Sequence, residues 1–399
     1  MKIAFLHLYL ATASGDPRMV LSIAKECKAQ GHSVKIYCAE FDPAFLPDLH
    51  RGMEIIVVPP PRPLASVRGA SGLWGKISER IRRNRLYAAA AHRIGEKLDP
   101  DFDFVFAEND PTYMAAASYK QAHPKAKAVW IMNNPPFYHS HKNNFLIDLA
   151  SRAIGFYEGL RAKRFAKWID WAVVYDKKHK EDAESLGYKV TLIGNPLDFD
   201  YFYSPVKTVD RMGIIRLLAV GVLSPFRRFE DVVAATALLR KEGYDVRSVI
   251  VCKDYWADKA YRRSFEQCIK ASGAADAIDA RFGGVEEKEM MQLLHESHIS
   301  VAPNNAHVWI ATSCEAMAAG MPALISRATA MTDVLVGGRE ALFFDALHPE
   351  QIAHQIERLV DDPAFFAGIA AAGQRYVKDN LDFGSFVVRI LTPPRADGR

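Results

Sequence analysis

The feature that most constrains the fold is a repeated alternation of short apolar runs with helical segments along the chain. The first example covers residues 2–38, where the apolar segment KIAFLHLY is followed by a loop, an amphipathic helix and a second apolar segment, VKIYC. Parallel neighbours in a sheet need a crossover connection, and a helix usually provides it. The alternation therefore predicts an α/β protein built from doubly wound parallel sheets.

The alternation is interrupted near the middle of the chain. Residues 196–212 show turn residues and prolines but no strand or helix periodicity, which is typical of a linker. A chain of 399 residues is also longer than one hydrophobic core usually serves. We predict two Rossmann-like domains, residues 1–195 and 213–380, joined by residues 196–212. The final C-terminal helix is expected to be able to cross back onto the first domain.

Composition argues against several classes of protein. A net charge of +4 is too small to indicate a nucleic-acid partner by itself. The five cysteines are scattered and lie mostly in apolar segments, which favours reduced thiols over a disulfide framework. No apolar run approaches the ~20 residues that a membrane-spanning helix needs. We interpret the apolar N-terminus as a strand rather than a signal peptide, and we expect a cytoplasmic protein.

The segment SVAPNNAHVWIATSCEAMAAGMPALIS, residues 300–326, predicts a strand, a loop and then an Ala-rich helix. A helix that begins beyond the carboxyl end of a parallel strand directs its free N–H groups toward a bound anion. The backbone amides of Ile310, Ala311 and Thr312 would meet a diphosphate there, and Glu315 would reach a ribose. Alternatively, Glu315 merely complements the helix dipole near its N-terminus.

A second candidate lies in AVGVLSPFRRFEDVV, where a predicted strand ends near Gly221 and a helix begins after Arg228. An arginine at the carboxyl end of a strand can hold a phosphate with two hydrogen bonds. Arg227 and Arg228 are therefore candidate phosphate ligands. The alternative is that both are solvated side chains on a surface loop.

Several segments together resemble the retaining family-4 glycosyltransferases, which have the GT-B fold. The likeness covers nearly the whole chain, and it depends on the order and spacing of several motifs. These are the Gly15 loop, the GHSV turn, IGNPLDFDYF, GVLSPFRRFEDVV, FGGVEEKEMMQLLHES, CEAMAAGMPALIS and DVLVGGREALFFD.

This resemblance implies two Rossmann-like domains that face each other across a cleft. It implies transfer of a hexose-like sugar from a nucleotide-sugar donor to an acceptor hydroxyl, with retention at the anomeric carbon. A glycan or lipid-linked acceptor, a role in polysaccharide biosynthesis and the absence of a metal or other cofactor are also implied. By the same likeness Glu315 binds the donor ribose, Arg227 matches the family's phosphate-binding lysine, and Gly15 and Gly221 lie at the donor phosphates.

The sequence departs from the family pattern at three places. His307 stands where the family has a glutamate, so it could contact the donor sugar or phosphate but could not act as a carboxylate. Val222 replaces a phosphate-binding arginine, so either a neighbour such as Arg228 or Lys253 compensates or the activity is weak. Asn133 stands where relatives carry a histidine near the sugar, and it is either a ligand or a turn residue before the prolines.

Two histidines, His139 and His141, follow Asn133 in the loop NNPPFYHSH. They are candidates for the acceptor side, and the alternative is an ordinary surface loop.

Two helical segments of the predicted first domain carry dense positive charge. A basic amphipathic face can bind anionic lipid, with each charge contributing on the order of 1 kcal/mol near the surface. We therefore expect weak peripheral attachment to the inner face of a membrane, where a lipid-linked acceptor would be presented; the alternative is a solvated helix face. The residues are Arg80, Arg82, Arg83 and Arg85, and Arg152, Arg161, Lys163, Arg164 and Lys167.

Two other functions stay open on the sequence alone. The departures at Val222 and His307 favour a non-catalytic partner subunit that binds a nucleotide sugar or a glycan. A different reaction on the same fold, such as epimerisation of a nucleotide sugar, would leave the same donor-site pattern.

Overall fold

The computed structural model describes residues 1–11, 15–64, 72–108, 111–132, 145–254 and 258–394. The chain divides into two compact units. The first consists of Met1–Ile193 together with Phe383–Arg399, and the second of Gly194–Asp382.

Among the described residues of the first unit, seven strands form one sheet in the order β3-β2-β1-β4-β5-β6-β7. Every neighbouring pair in this sheet is parallel. The strands are β1 (Lys2–Leu10), β2 (Ser33–Phe41), β3 (Glu54–Val57), β4 (Phe104–Ala107), β5 (Lys127–Ile131), β6 (Trp171–Val174) and β7 (Val190–Leu192). The helices between them are α1 (Gly15–Ala29), α2 (Pro47–His50), α3 (Gly72–Glu96), α4 (Tyr113–Ala122), α5 (Phe145–Phe165) and α6 (Lys177–Ser185).

The described part of the second unit contains a six-stranded sheet in the order β10-β9-β8-β11-β12-β13, again with parallel neighbours throughout. Its strands are β8 (Ile215–Val222), β9 (Val246–Lys253), β10 (Ile278–Phe282), β11 (Ile299–Ala302), β12 (Ala323–Ser326) and β13 (Leu342–Phe344). Its helices are α7 (Phe199–Phe202), α8 (Phe229–Lys241), α9 (Lys259–Ala271), α10 (Glu287–Glu296), α11 (Ala311–Ala318), α12 (Pro349–Asp361) and α13 (Pro363–Asn380). The prediction of two doubly wound parallel sheets is confirmed.

The central strands are buried on both faces, as expected for sheets covered by helices on either side. All residues of β6 and β11 are buried. One helical layer of the first unit includes the chain's last helix, α14 (Phe383–Ile390). Its residues Phe386, Val387 and Ile390 are buried in the same apolar cluster as residues of α1 and β1. Burial of this apolar face fixes α14 within the first unit.

Residues 196–212, which the sequence pattern marks as a linker, lie within the second unit. The N–H of Lys207 donates to the carbonyl of Gly320 at 2.9 Å. The side-chain amide of Gln374 donates to the carbonyls of Ser204 and Ala318 at 2.7 and 2.8 Å. At least two backbone groups of this segment therefore bond to distant residues, and a local sequence pattern does not record such partners.

Burial makes most of the cysteine thiols of this protein unreactive. All five cysteines are free thiols, and four of them are buried. Burial raises the pKa of Cys27, Cys38 and Cys252 to about 12, because a thiolate there would be desolvated. These thiols therefore pack as small apolar side chains rather than acting as nucleophiles.

We predict that Gly320→Ala destabilises the second unit strongly. Gly320 has φ +75°, and an added Cβ would lie 2.5 Å from the carbonyl oxygen of Pro205 and 2.8 Å from the Cα of Val206, both of which are backbone atoms. The matched control is Gly243→Ala, where φ is +92° but nothing lies within 4 Å of the added Cβ. We expect the free energy of unfolding, measured in urea, to fall by about 1 kcal/mol in the control and by about 3 kcal/mol or more in Gly320→Ala. Equal losses would contradict this account of the close approach.

Candidate functional site

The strand order of the second unit reverses its direction at β8. Successive strands add on one side of β8 as far as β10, and β11 then returns to pair with the other side of β8. Ligands bind beyond the carboxyl ends of strands at such a reversal point. The loops that follow β8 and β11 are joined there, because the N–H of Asn305 donates to the carbonyl of Phe226 at 2.7 Å.

Arg227 folds back onto the end of β8. A short 3-10 turn, Pro225–Arg227, reverses the chain just after the strand. A Cβ added to Gly221 would lie 3.1 Å from Nε and 3.2 Å from Cζ of Arg227. The guanidinium therefore lies directly on the strand backbone, and the absence of a side chain at position 221 makes room for it.

The charge of Arg227 has no partner of opposite sign within the described part of the chain. Its Nε is buried there without a hydrogen-bond acceptor, and no carboxylate of the described residues forms an ion pair with it. Burial lowers the pKa of its guanidinium, since desolvation disfavours the charged form. A desolvated cation with unused donors favours the binding of an anion.

Arg228 is different, because the protein already neutralises it. This residue has φ +53°, and its guanidinium binds the nearly buried carboxylate of Asp231 at 2.6 Å. The hydrogen bond to Asp231 raises the pKa of Arg228. Its charge is therefore used inside the protein rather than offered to a ligand.

Lys253 is better placed than Arg228 to replace the charge that is absent at Val222. Lys253 and Val222 are register partners at the carboxyl ends of β9 and β8, respectively. Lys253 is exposed, and it forms no ion pair among the described residues. A Cβ on Gly284 would lie 3.0 Å from the Cγ of Lys253, so a glycine makes room for the lysine stem.

The N-terminus of α11 is the third donor group at this edge. Ile310 occupies the N-cap position and provides no side-chain hydrogen bond to the helix. The backbone amides of Ile310, Ala311 and Thr312 have no acceptor among the described residues. Such amides, together with the helix dipole, favour an anion. Glu315, about one turn further along α11, is half-buried.

His307 lies beside a carboxylate that the sequence did not suggest. Its Nε2 is 3.4 Å from Oδ2 of Asp333. Asp333 belongs to a 3-10 turn, Ala330–Asp333, which is tied to the same loop because the N–H of Ala330 donates to the carbonyl of Val308 at 3.2 Å. Position 307, where the resembled family has a glutamate, is thus a histidine next to an acid.

Sequence reasoning also missed Asn304. This side chain is buried, and its Nδ2 has no hydrogen-bond acceptor within the described ranges. A buried amide without a partner is uncommon, so it marks a polar group that a ligand could satisfy. The only available signal was the pair of asparagines soon after a predicted strand.

Some predicted site residues belong to the first unit. Gly15 is the first residue of α1, beyond the carboxyl end of β1. Asn133, His139 and His141 lie outside the described residues. The predicted donor-side residues of the second unit do lie at one sheet edge: Gly221, Arg227, Arg228, Ile310, Ala311, Thr312 and Glu315.

Comparison with known families gives one match in the second unit. Residues 207–375 match the family model described as Glycosyl transferases group 1. No protein among those with curated descriptions matches the chain.

Solved structures show the same fold along nearly the whole chain. Anabaena HepE, in complex with UDP and glucose, aligns with a TM-score of 0.70 at 14% identity, covering 98% of both chains. Sucrose-phosphate synthase from Thermosynechococcus elongatus gives 0.68 at 14% identity, covering 98% of this chain and 97% of that one. WaaG, a glycosyltransferase involved in lipopolysaccharide biosynthesis, gives 0.65 at 15% identity, with 97% and 98% covered. The fold is GT-B, and the family match and these neighbours together support a glycosyltransferase.

We predict opposite effects on stability for the two adjacent arginines. Arg227→Met removes a desolvated charge that forms no ion pair among the described residues, so the free energy of unfolding should stay unchanged or rise by about 1 kcal/mol. Arg228→Met leaves the carboxylate of Asp231 without its partner, so stability should fall by about 2 kcal/mol. Urea unfolding followed by tryptophan fluorescence measures both changes. A clear loss of stability in Arg227→Met would show that its charge is satisfied within the protein.

Proposed function

We propose that this protein is a glycosyltransferase that moves a sugar from a nucleotide-sugar donor to an acceptor hydroxyl, with retention of anomeric configuration. The observation that carries the proposal is Arg227, a desolvated cation whose Nε finds no acceptor among the described residues, at the end of the sheet where α11 also begins. A diphosphate is an anion that suits both groups, because it carries several acceptor oxygens and more than one charge.

The proposed donor complex uses residues from three strand ends. Arg227 and Lys253 bind the diphosphate, with the amides of Ile310, Ala311 and Thr312 as further donors. Glu315 accepts hydrogen bonds from the ribose hydroxyls. UDP is the first nucleotide to test, because the structure of Anabaena HepE was solved with UDP and with UDP-glucose.

The proposed chemistry is a front-face substitution. The bond between the anomeric carbon and the diphosphate oxygen breaks, and the acceptor oxygen forms its bond on the same face of the sugar. The acceptor proton passes to an oxygen of the leaving diphosphate, so no enzymic nucleophile is required. Arg227, Lys253 and the amides of α11 stabilise the negative charge that develops on the leaving group.

His307 has a proposed role on the donor side. We assign to His307 a contact with the donor sugar or phosphate, oriented by the carboxylate of Asp333 at 3.4 Å. Three assignments stay predictions: Gly15 as a donor-phosphate residue, Asn133 as a catalytic residue that hydrogen-bonds the sugar or acceptor, and His139 and His141 as acceptor-side residues. The acceptor is proposed to be a glycan or a lipid-linked glycan in cytoplasmic polysaccharide assembly.

The proposal predicts donor binding that depends on Arg227 and Glu315. At a concentration of 100 times its dissociation constant, the correct nucleotide should stabilise the folded protein by ~2.7 kcal/mol and raise its melting temperature by several degrees. A panel of UDP, GDP, ADP and their sugars would identify it. Glu315→Gln should weaken binding about tenfold or more, because a charged hydrogen bond is lost, and Arg227→Gln should lower transfer by ~10²-fold.

Arg247→Gln is the matched control for the arginine variant. Arg247 is an exposed residue near the opposite end of β9, beside Asp245 at 3.8 Å, so donor binding and transfer should not change. A protein that binds a nucleotide sugar but neither transfers nor hydrolyses it is the non-catalytic subunit that Val222 and His307 would favour. Interconversion of sugars without an acceptor would identify an epimerase instead.

Retention and metal independence are separate parts of the proposal. Proton NMR of the product immediately after transfer should show the anomeric configuration of the donor. Transfer should continue in excess EDTA, because Arg227, Lys253 and the helix amides supply the positive charge that a metal would otherwise provide. An inverted product would contradict the front-face mechanism, and loss of transfer that Mg²⁺ or Mn²⁺ restores would contradict the metal-free assignment.

A further inference from the structure

The side chain of Asn304 carries a buried hydrogen-bond donor that the fold leaves unused. The residue is 2% exposed, and its Nδ2 finds no acceptor among the described residues. Buried polar atoms of side chains nearly always have a partner in folded proteins, and burial of an amide without one is unfavourable. A ligand that offers an acceptor atom at this position would remove the penalty.

Asn304 lies at the carboxyl edge of the second sheet, where Arg227 also lies. It follows β11, which ends at Ala302, and it directly precedes Asn305. The N–H of Asn305 donates to the carbonyl of Phe226 at 2.7 Å, and Phe226 directly precedes Arg227. Asn304 and Arg227 are thus each one residue away from the two ends of the same hydrogen bond, so their backbones are neighbours.

Val222 ends the neighbouring strand at the same edge of the sheet. Ser300 of β11 pairs with Leu218 of β8, and Asn304 follows Ser300 by as many residues as Val222 follows Leu218. Parallel strands that leave a sheet in register end side by side. Asn304 therefore brings a hydrogen-bond donor to the level of the sheet at which the side chain of Val222 provides none.

Three carboxylates near these strand ends are already bound to basic side chains. None of the three forms an ion pair with Arg227 in the described part of the chain, and Nε of Arg227 is also buried without an acceptor. Two donors, one of them charged, therefore need an acceptor that the described residues do not supply. The three pairs are Asp231 with Arg228 at 2.6 Å, Asp254 with Arg262, and Asp333 with His307 at 3.4 Å.

The chemistry of the two donors indicates which acceptor suits them. A hydroxyl group both donates and accepts, and it is uncharged. An ionised phosphate oxygen accepts from several donors at once, and hydrogen bonds to such an oxygen are roughly twice as strong as those between neutral groups. A phosphate group therefore satisfies an amide N–H and a guanidinium N–H together better than a sugar hydroxyl does.

We propose that Asn304 is a further ligand of the donor diphosphate, with its Nδ2 donating to an oxygen of the group that Arg227 binds. This assignment rests on the proposed function and adds a residue to it. The hydrogen bond would satisfy the buried amide only when the donor is bound. Part of the affinity for the diphosphate would then come from a neutral side chain beside Val222 rather than from a second arginine.

Calorimetric titration of the protein with UDP and with UDP-glucose tests the assignment, because only the second probe contains the sugar. If the wild type prefers GDP or ADP, that nucleotide and its glucose derivative replace the pair. Asn304→Ala should weaken the binding of both probes about tenfold or more, since a hydrogen bond to a charged group is lost. Asn304→Asp should weaken both further, because it adds a negative charge beside the phosphates.

Two further variants separate this contact from general effects on charge and folding. Gln267→Glu makes the same change from amide to carboxylate at an exposed position of α9, and it should bind UDP as the wild type does. Asn304→Ser keeps a smaller hydrogen-bond donor, so it should bind UDP more tightly than Asn304→Ala. Melting temperatures measured without nucleotide distinguish a loss of binding from a loss of folding.

Three results would overturn the assignment while the wild type still binds UDP, and the proposed function would then stand without Asn304. A loss confined to UDP-glucose in Asn304→Ala would place the amide at the sugar. Tighter binding by Asn304→Asp than by Asn304→Ala would identify a hydroxyl as the partner, because a carboxylate can accept from it. Unchanged affinity in both variants would show that Asn304 does not contact the donor. If the wild type binds none of UDP, GDP and ADP, the proposed function fails, and this assignment fails with it.

Discussion

The parallel sheet of the second unit imposes the constraint on which the candidate site depends. Parallel strands end at the same edge, and the change of direction between β8 and β11 separates the loops that follow them. The hydrogen bond from the N–H of Asn305 to the carbonyl of Phe226 then fixes those loops to each other. Arg227 and the N-terminus of α11, far apart in sequence, are thereby brought to one edge.

Two adjacent arginines differ in how their charge is compensated. Nε of Arg227 is buried and finds no acceptor among the described residues, which is unfavourable for the folded protein, whereas Arg228 is paired with Asp231. Lys253, like Arg227, forms no ion pair among the described residues. It is exposed at the end of β9, across from Val222. One arginine therefore serves the fold, and the other two cations are available to an anionic ligand.

The candidate donor groups of the second unit are supported by contacts that the local sequence does not show. Gly221 leaves room for the side chain of Arg227, and the hydrogen bond between Asn305 and Phe226 joins the loops that follow β8 and β11. These contacts depend on the position of the loops in space.

The sequence by itself determined the fold class, because strand and helix periodicity are local properties and their alternation leaves a parallel sheet as the arrangement that buries every apolar run. Strand ends and helix starts, together with a family resemblance, also made Arg227 and Glu315 candidates, and their roles stay predictions. Only the tertiary structure showed that Arg228 is committed to Asp231, that Asp333 lies beside His307 and that Asn304 is buried without a partner. It also placed residues 196–212 within the second unit. The physical reason is the same in each case: charge compensation, burial and backbone satisfaction depend on neighbours in space, which periodicity along the chain does not specify.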